Sequence, residues 1–209
     1  MLASRRKVVR GKGNVAPACR GALSRKQGRF AVVSRPTGLS GLNLIYQDKL
    51  VRLYARPDFD PSRFEAFALD RVEVQTASSL DSKQKAEQEQ LGTDLEAQIT
   101  KLLTKRDSAS RLSMYIRLHD IESVMPAINI ATLAHVFLPL DTGAMTVETT
   151  YRDSAGYIQA RRIERLNGSV FNIKASFSAY GQHKLILSEW AQRCPMSVAC
   201  LSKPGESFK

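Results

Sequence analysis

The chain has 209 residues, 43% of them hydrophobic and 24% charged, with a formal net charge of +11. That is enough to bury one core without disulfides, and three cysteines with no CxxC pair exclude a disulfide-stapled scaffold. No run of about 18 apolar residues occurs, so no membrane-spanning helix is expected.

The charge is unevenly spread. Ten of the 31 basic residues and none of the 20 acidic ones fall in residues 1–40, which leaves 21 against 20 in the rest. The excess therefore belongs to an N-terminal arm, and a body with its own basic face is disfavoured. Residues 1–38 are rich in Arg, Lys, Gly and Ser without apolar periodicity, and are expected to be a disordered arm or a defective targeting segment. The basic Arg5-Arg6-Lys7 suits the start of a secretory signal, but the apolar stretch that should follow is missing. Ala16-Pro17-Ala18-Cys19 places small residues before a cysteine, which makes Cys19 the candidate lipidation site. An organellar transit peptide or a plain floppy arm fits the same composition.

Residues 39–194 form the expected single domain, and 195–209 a loose tail. The stretch 39–67 is read as an irregular segment interrupted by Pro57 and Pro61, with Tyr54, Phe59, Phe64 and Phe67 packing it down. Asp60 before Pro61 starts a short turn, and the spacing of Asp58 and Asp60 does not make a calcium loop. Alternation over 69–76 predicts a strand with Val72, Val74 and Thr76 on one face. A helix over 81–105 is predicted from the capping box of Asp81 with Gln84 and the stripe Leu91, Leu95, Ile99 and Leu102. Gly92 weakens it by about 1 kcal/mol relative to Ala. Its polar first half is expected to project beyond the sheet or to face a partner.

A strand over 111–119 follows, with Leu112, Met114, Ile116 and Leu118 on one side. His119, Asp120 and Glu122 at its end lack a further ligand and read as solvated residues rather than a metal site. The uncharged stretch 123–140 is expected to be a buried connection, with a membrane contact as the alternative. Next comes a hairpin. Met145, Val147, Thr149 and Tyr151 alternate with polar neighbours, Asp153-Ser154-Ala155-Gly156 turns the chain, and a second strand runs from Tyr157 to Leu166. The broken alternation of that second strand predicts a bulge near Arg161-Arg162. Arg161, Arg162 and Arg165 are a possible interaction surface, although a solvated face that blunts a sheet edge is favoured. The last helix, 178–194, carries His183, Ile186, Leu187, Trp190, Ala191 and Cys194 on one face. His183 is expected to be a satisfied boundary residue and the Trp190 indole to find an acceptor. Cys194 and Cys200 could pair only in an oxidising compartment.

Three segments together resemble a bacterial lipoprotein-like family with no assigned function: PTGLSG at 36–41 with the later PDFDPSRFEAFALDRVEV, GAMTVETTYRDSAGYIQARRIERLNG at 143–168, and FSAYGQHKLILSEWAQR at 177–193. Asp153, Ser154 and Gly156 match that family's turn, one residue shorter here. Arg161, Arg162, Glu164 and Arg165 match its arginine-rich strand loosely, and Trp190-Ala191 its last helix. Residues 1–18 depart from it by lacking an apolar signal segment. The resemblance implies a non-enzymatic accessory protein of the cell envelope, held at the outer membrane if Cys19 is lipidated and cytoplasmic if the chain is used as written. Its partner would be another envelope protein, or the membrane through the lipid.

The alternative is nucleic-acid or polyanion binding through the basic arm, with steep salt dependence. An enzyme is disfavoured: the chain has no Gly-rich phosphate loop, no GxSxG elbow and no HExxH, and no cofactor is implied. The expected fold is α+β, an antiparallel sheet of about four strands with two helices packed on one face.

Overall fold

A computed structural model describes residues 41–103, 110–136, 141–193 and Leu201, with only the backbone of 133–136. The fold is α+β. Six strands form one sheet: β1 (Asn43–Gln47), β2 (Val51–Ala55), β3 (Ala66–Val74), β4 (Arg111–Glu122), β5 (Ala144–Arg152) and β6 (Ile158–Asn167). Their order is β1-β2-β6-β5-β4-β3. Three helices accompany them: α1 (Ser82–Leu102), α2 (Pro126–Val136) and α3 (Gly181–Arg193). Two short 3-10 turns, η1 (Pro61–Arg63) and η2 (Ile173–Phe177), complete the described elements.

The sheet is mixed rather than antiparallel, and wider than expected. β3 and β4 pair in parallel because α1 connects them; the chain must return to the start of the sheet before β4 can begin. The two additional strands come from the segment read as irregular. β1 and β2 form a hairpin whose turn is held by the Asp48 carboxylate, which accepts from the Leu50 and Val51 amides at 2.7 and 2.6 Å. Val51, Leu53 and Ala55 then alternate inward, and β2 pairs with β6. Pro57 and Pro61 fall just outside the strands. Asp60 caps η1 by accepting from the Ser62 amide, as expected of its place before Pro61.

Local chemistry sets the other boundaries. The capping box at the start of α1 is present: the Gln84 amide donates to Asp81 at 2.7 Å and the Asp81 amide donates to the Gln84 side chain at 3.1 Å. In the hairpin turn, Asp153 accepts from the amides of Ala155 and Tyr157, and Gly156 takes the positive φ of +84° that the reversal needs. Leu91, Leu95 and Ile99 of α1 and Ile186, Leu187, Trp190 and Ala191 of α3 pack with Leu53, Met114, Ile116, Met145 and Val147 into one core. Both helices thus cover the same face of the sheet. Gly92 lets α1 lie close to β3, where a Cβ would meet Val74 Cγ2 at 2.6 Å. Leu201 is buried in this core, so the expected loose tail contributes at least that side chain.

Two further expectations are overturned. Residues 123–140 are not simply a buried connection: 126–136 form α2, with Ile128 and Ile130 exposed. His183 is fully buried rather than at a boundary, because α3 turns it inward beside Tyr180. Its Nε2 lies 3.4 Å from the Ala144 carbonyl, and burial pushes its pKa below the ordinary histidine value. Residues 1–40, with Cys19 and the basic arm, and Cys194 and Cys200 lie outside the described residues. Among the described residues no helix is long and apolar enough to cross a membrane.

Candidate anion-binding sheet face

The three arginines singled out in β6 divide between the two faces of the sheet. The bulge sits at Gln159, two residues earlier than expected, where Tyr151 opposes Ala160 and Arg152 opposes Ile158. From Ala160 onward the alternation is regular. Ala160, Arg162, Glu164 and Leu166 face the helices, whereas Arg161, Ile163 and Arg165 face away. Nor does β6 lie at an edge, since β2 flanks it on one side and β5 on the other.

Arg162 is 2% exposed, so it is not part of a solvated surface. Its Nε donates to Glu164 Oε2 at 3.0 Å, and the Trp190 indole donates to the same oxygen at 2.9 Å. The acceptor expected for Trp190 is therefore Glu164, and the charge pair is closed into the core by α3. This arginine cannot reach a ligand without opening the domain.

Arg161 and Arg165 belong to a different assembly. On the face away from α1 and α3, register lines up polar side chains in rows across the strands. One row runs Arg71, Tyr115, Thr150, Arg161 and Tyr54 over β3, β4, β5, β6 and β2. The next runs Glu73, Arg117, Glu148, Ile163 and Arg52. Arg111 and Arg152 lie at one end of the rows, and His119, Thr146 and Arg165 at the other. The face holds seven arginines, Arg52, Arg71, Arg111, Arg117, Arg152, Arg161 and Arg165, against the carboxylates of Glu73, Glu148, Asp120 and Glu122, with the exposed Asp70 at the β3 bulge beside Arg71.

The near balance of charge in the body thus hides a segregation. Arg71 and Arg117 lie over the Tyr115 ring, 4.9 and 5.5 Å from its centroid, and share Glu73 at 3.7 Å. The Tyr115 hydroxyl hydrogen-bonds Glu73 and accepts from Arg117 at 3.1 Å. That bond, with the nearby carboxylates, holds Arg117 above its ordinary pKa. Glu148 lies 3.5 Å from Arg161 and 4.0 Å from His119. Arg165 pairs with Glu122 and donates to the Asp120 carbonyl at 3.1 Å. Arg111 and Arg152 are exposed and have no ion-pair partner among the described residues. Half-buried guanidiniums on a rigid sheet are pre-set for carboxylate or phosphate oxygens.

His119 sits among these pairs rather than in solvent. Its Nδ1 is 2.9 Å from Asp120, whose φ of +50° turns the chain at a β4 irregularity. No group of three or more metal-ligating side chains occurs among the described residues. The sequence marked Arg161 and Arg165 but missed Arg52, Arg71, Arg111, Arg117 and Arg152. Strand alternation had already put Arg71 beside Glu73, and Tyr115 beside Arg117. Only register could join those pairs into rows, and the unrecognised β2 hid Arg52.

No protein-family model matches the chain, and no curated protein matches it. Among solved structures it is similar to the "PelC L103M dodecamer from Paraburkholderia phytofirmans", with a TM-score of 0.35 and 8% identity over 66% of this chain and 91% of that one. A likeness so distant says nothing about what this chain binds.

Proposed function

We propose that this protein is a non-enzymatic binding protein, an accessory component of a bacterial cell envelope, and that it takes an acidic polymer on the arginine-rich sheet face. The envelope reading is supported by the motifs at 36–41, 143–168 and 177–193. The binding reading is carried by one observation: seven arginines outnumber the carboxylates on a face that α1 and α3 leave alone. Its working groups are Arg71, Arg111 and Arg152, which reach solvent. Arg117, Arg161 and Arg165 set the local field from within. The other reading, polyanion binding by the basic arm, makes a different prediction.

Labelled poly-glutamate and a labelled oligothymidylate, titrated with the full chain across a salt series, test both. Arg71→Gln/Arg111→Gln/Arg152→Gln is expected to lower affinity at least about tenfold and to reduce the salt slope for oligothymidylate by about 2–3. Unchanged affinity in that variant, with loss on neutralising Arg5, Arg6, Lys7 and Arg10, would assign the binding to the arm.

A further inference from the structure

The end of the molecule where α2 meets η2 is built the wrong way round for water. Exposed large apolar side chains are not scattered: six of the eleven in the described residues lie on α2, η2 and their flanks, and Leu185 of α3 lines the groove beside them. Ile130 is 60% exposed and Phe171 72%. On an ordinary surface helix the apolar stripe faces inward. In the described part of α2, residues 126–132, the one buried residue is polar. Asn129 is fully buried; its amide donates to the carbonyls of Asp141 and Ser176 at 2.7 and 3.1 Å, and its carbonyl accepts from the Asp141 amide at 2.9 Å. The Asp141 carboxylate takes the Met125 amide just ahead of the helix at 2.7 Å. Polar anchors thus hold α2 to the body while its isoleucines point out.

The chemistry of that surface selects what can cover it. Residues 123–140 contain no Asp, Glu, Lys or Arg. The Thr132 hydroxyl donates back to its own helix, to the carbonyls of Ile128 and Asn129, and asks nothing of a neighbour. Protein interfaces carry about one hydrogen bond per 100–200 Å², and the described part of α2 has almost nothing left to make them with. A bilayer requires none, provided the polar groups are satisfied internally, as the side chains of Asn129 and Thr132 are. η2, packed against α2 and α3, adds Phe171 and Ile173 around a shallow groove of about 280 Å³ that Lys174 also lines. A lysine beside apolar side chains can lay its stem along them and keep its ammonium at the headgroups.

We propose that this end seats in the headgroup–acyl boundary of a lipid bilayer, α2 lying in the interface plane with Ile128 and Ile130 toward the acyl chains. The contact is independent of the sheet face and of any acyl group on Cys19.

Flotation of the full chain, carrying Cys19→Ser throughout, tests the proposal with vesicles of phosphatidylcholine alone and of phosphatidylcholine with phosphatidylglycerol. At about 0.5 M salt the Debye length is about 4 Å, so the basic arm contributes little. The chain is expected to float with both vesicle types. Ile130→Asp/Phe171→Asp should lower the bound fraction about tenfold, whereas Leu44→Asp/Ile45→Asp, at exposed apolar positions on β1, should not. Ile130→Trp should float more completely, and its added emission should shift to the blue on vesicle addition; this arm remains decisive if the aspartates unfold the chain. Arg71→Gln/Arg111→Gln/Arg152→Gln should float like the parent, which separates this contact from the sheet face. Failure of the parent to float at high salt, or equal flotation of the aspartate variant, would overturn the proposal. So would a parent that stays at the bottom as a dimer which Ile130→Asp/Phe171→Asp makes monomeric, since the occupant would then be a second copy.

Discussion

The two faces of the sheet treat the same amino acid in opposite ways, and β6 makes the contrast within one strand. Arg162 and Glu164 point toward α1 and α3, where the carboxylate meets a guanidinium at 3.0 Å and an indole N–H at 2.9 Å. Arg161 and Arg165, one residue away on either side, point into a face where Glu148 lies 3.5 Å from Arg161 and 4.0 Å from His119, and Arg165 pairs with Glu122. Glu148 and Glu164 are equally exposed, at 8% each. Burial therefore does not decide what a charge does here; the number and closeness of its donors do. The covered face uses charge to fix one packing of α3 on the sheet. The other face holds a surplus of cations spread over several separate pairs, and a surplus is what an acidic ligand needs.

Removing the tight partner should break the contrast most. Glu164→Ala takes away the oxygen that both Arg162 and Trp190 address, and leaves the buried Arg162 guanidinium without that carboxylate. It should cost about 3–5 kcal/mol by chemical denaturation. Arg162→Met/Glu164→Gln, which removes the buried charge but keeps an acceptor for the indole, should cost less than half of that. A double variant as unstable as Glu164→Ala would mean that packing volume, not the uncompensated charge, sets the loss.

Gly92 sharpens the comparison from the helix side. In an exposed helix Gly→Ala gains about 1 kcal/mol. At Gly92 the new methyl would sit 2.6 Å from Val74 Cγ2, on a β-branched side chain with few rotamers to retreat into. Gly92→Ala is expected to destabilise by about 1–2 kcal/mol, and to do so by less than additively when combined with Val74→Ala. Thermal denaturation of the four proteins of that cycle reads the coupling directly. An additive result would mean that α1 does not approach β3 so closely.

Much of the covered face was legible in the sequence because local chemistry writes it. Asp81 with Gln84, the stripe Leu91, Leu95 and Ile99, and the alternation Leu112, Met114, Ile116 and Leu118 each state an element and its inward side; Leu102, expected on the same stripe, is exposed at the end of α1. The turn at Asp153 is read from two residues. What failed was non-local. Val51, Leu53 and Ala55 alternate as well as any strand, but five residues between a turn and Pro57 give too short a window to outweigh the nearby prolines. The parallel β3–β4 pairing is fixed by the return path of α1, not by any residue in either strand. The outward isoleucines in the described part of α2 were hidden for a further reason. An uncharged run implies burial in water, and only the three bonds of Asn129 reveal that the polar residue faces inward. Sorting of arginines between faces could not be read because the position of the bulge decides which of them points where.

His183 supplies a pH-dependent probe of the covered face. Burial lowers its pKa below the ordinary 6.5, against the opposing pull of the Ala144 and Glu122 carbonyls. The unfolded chain therefore takes up a proton before the folded one as the pH falls. Stability contributed by the neutral ring is whole above about 6.5 and is lost progressively below it, until the folded-state value is passed. The slope of stability against pH in that window should flatten in His183→Leu, measured by denaturant midpoint from pH 7 to pH 5. An unchanged slope would place the titration on another group.

Glu148→Gln should have the smallest effect and is the finest test of the contrast. Its carboxylate stands 3.5 Å from Arg161 Nε and 4.0 Å from His119 Nε2, longer than a good charge-assisted hydrogen bond. The neutral amide keeps the shape and an acceptor oxygen and removes only the attraction, so the loss should be about 1 kcal/mol, that of one hydrogen bond. Part of it should disappear in high salt, because the face is reached by solvent at Arg71 and Arg117, whereas the cost of Glu164→Ala should not change. The same substitution removes one of the carboxylates that offset the arginines, so Glu148→Gln should also tighten the binding of poly-glutamate. Weaker binding in this variant would mean that Glu148 positions Arg161 for the ligand instead of competing with it, and the two faces would then differ in ligand access but not in how their charges are held.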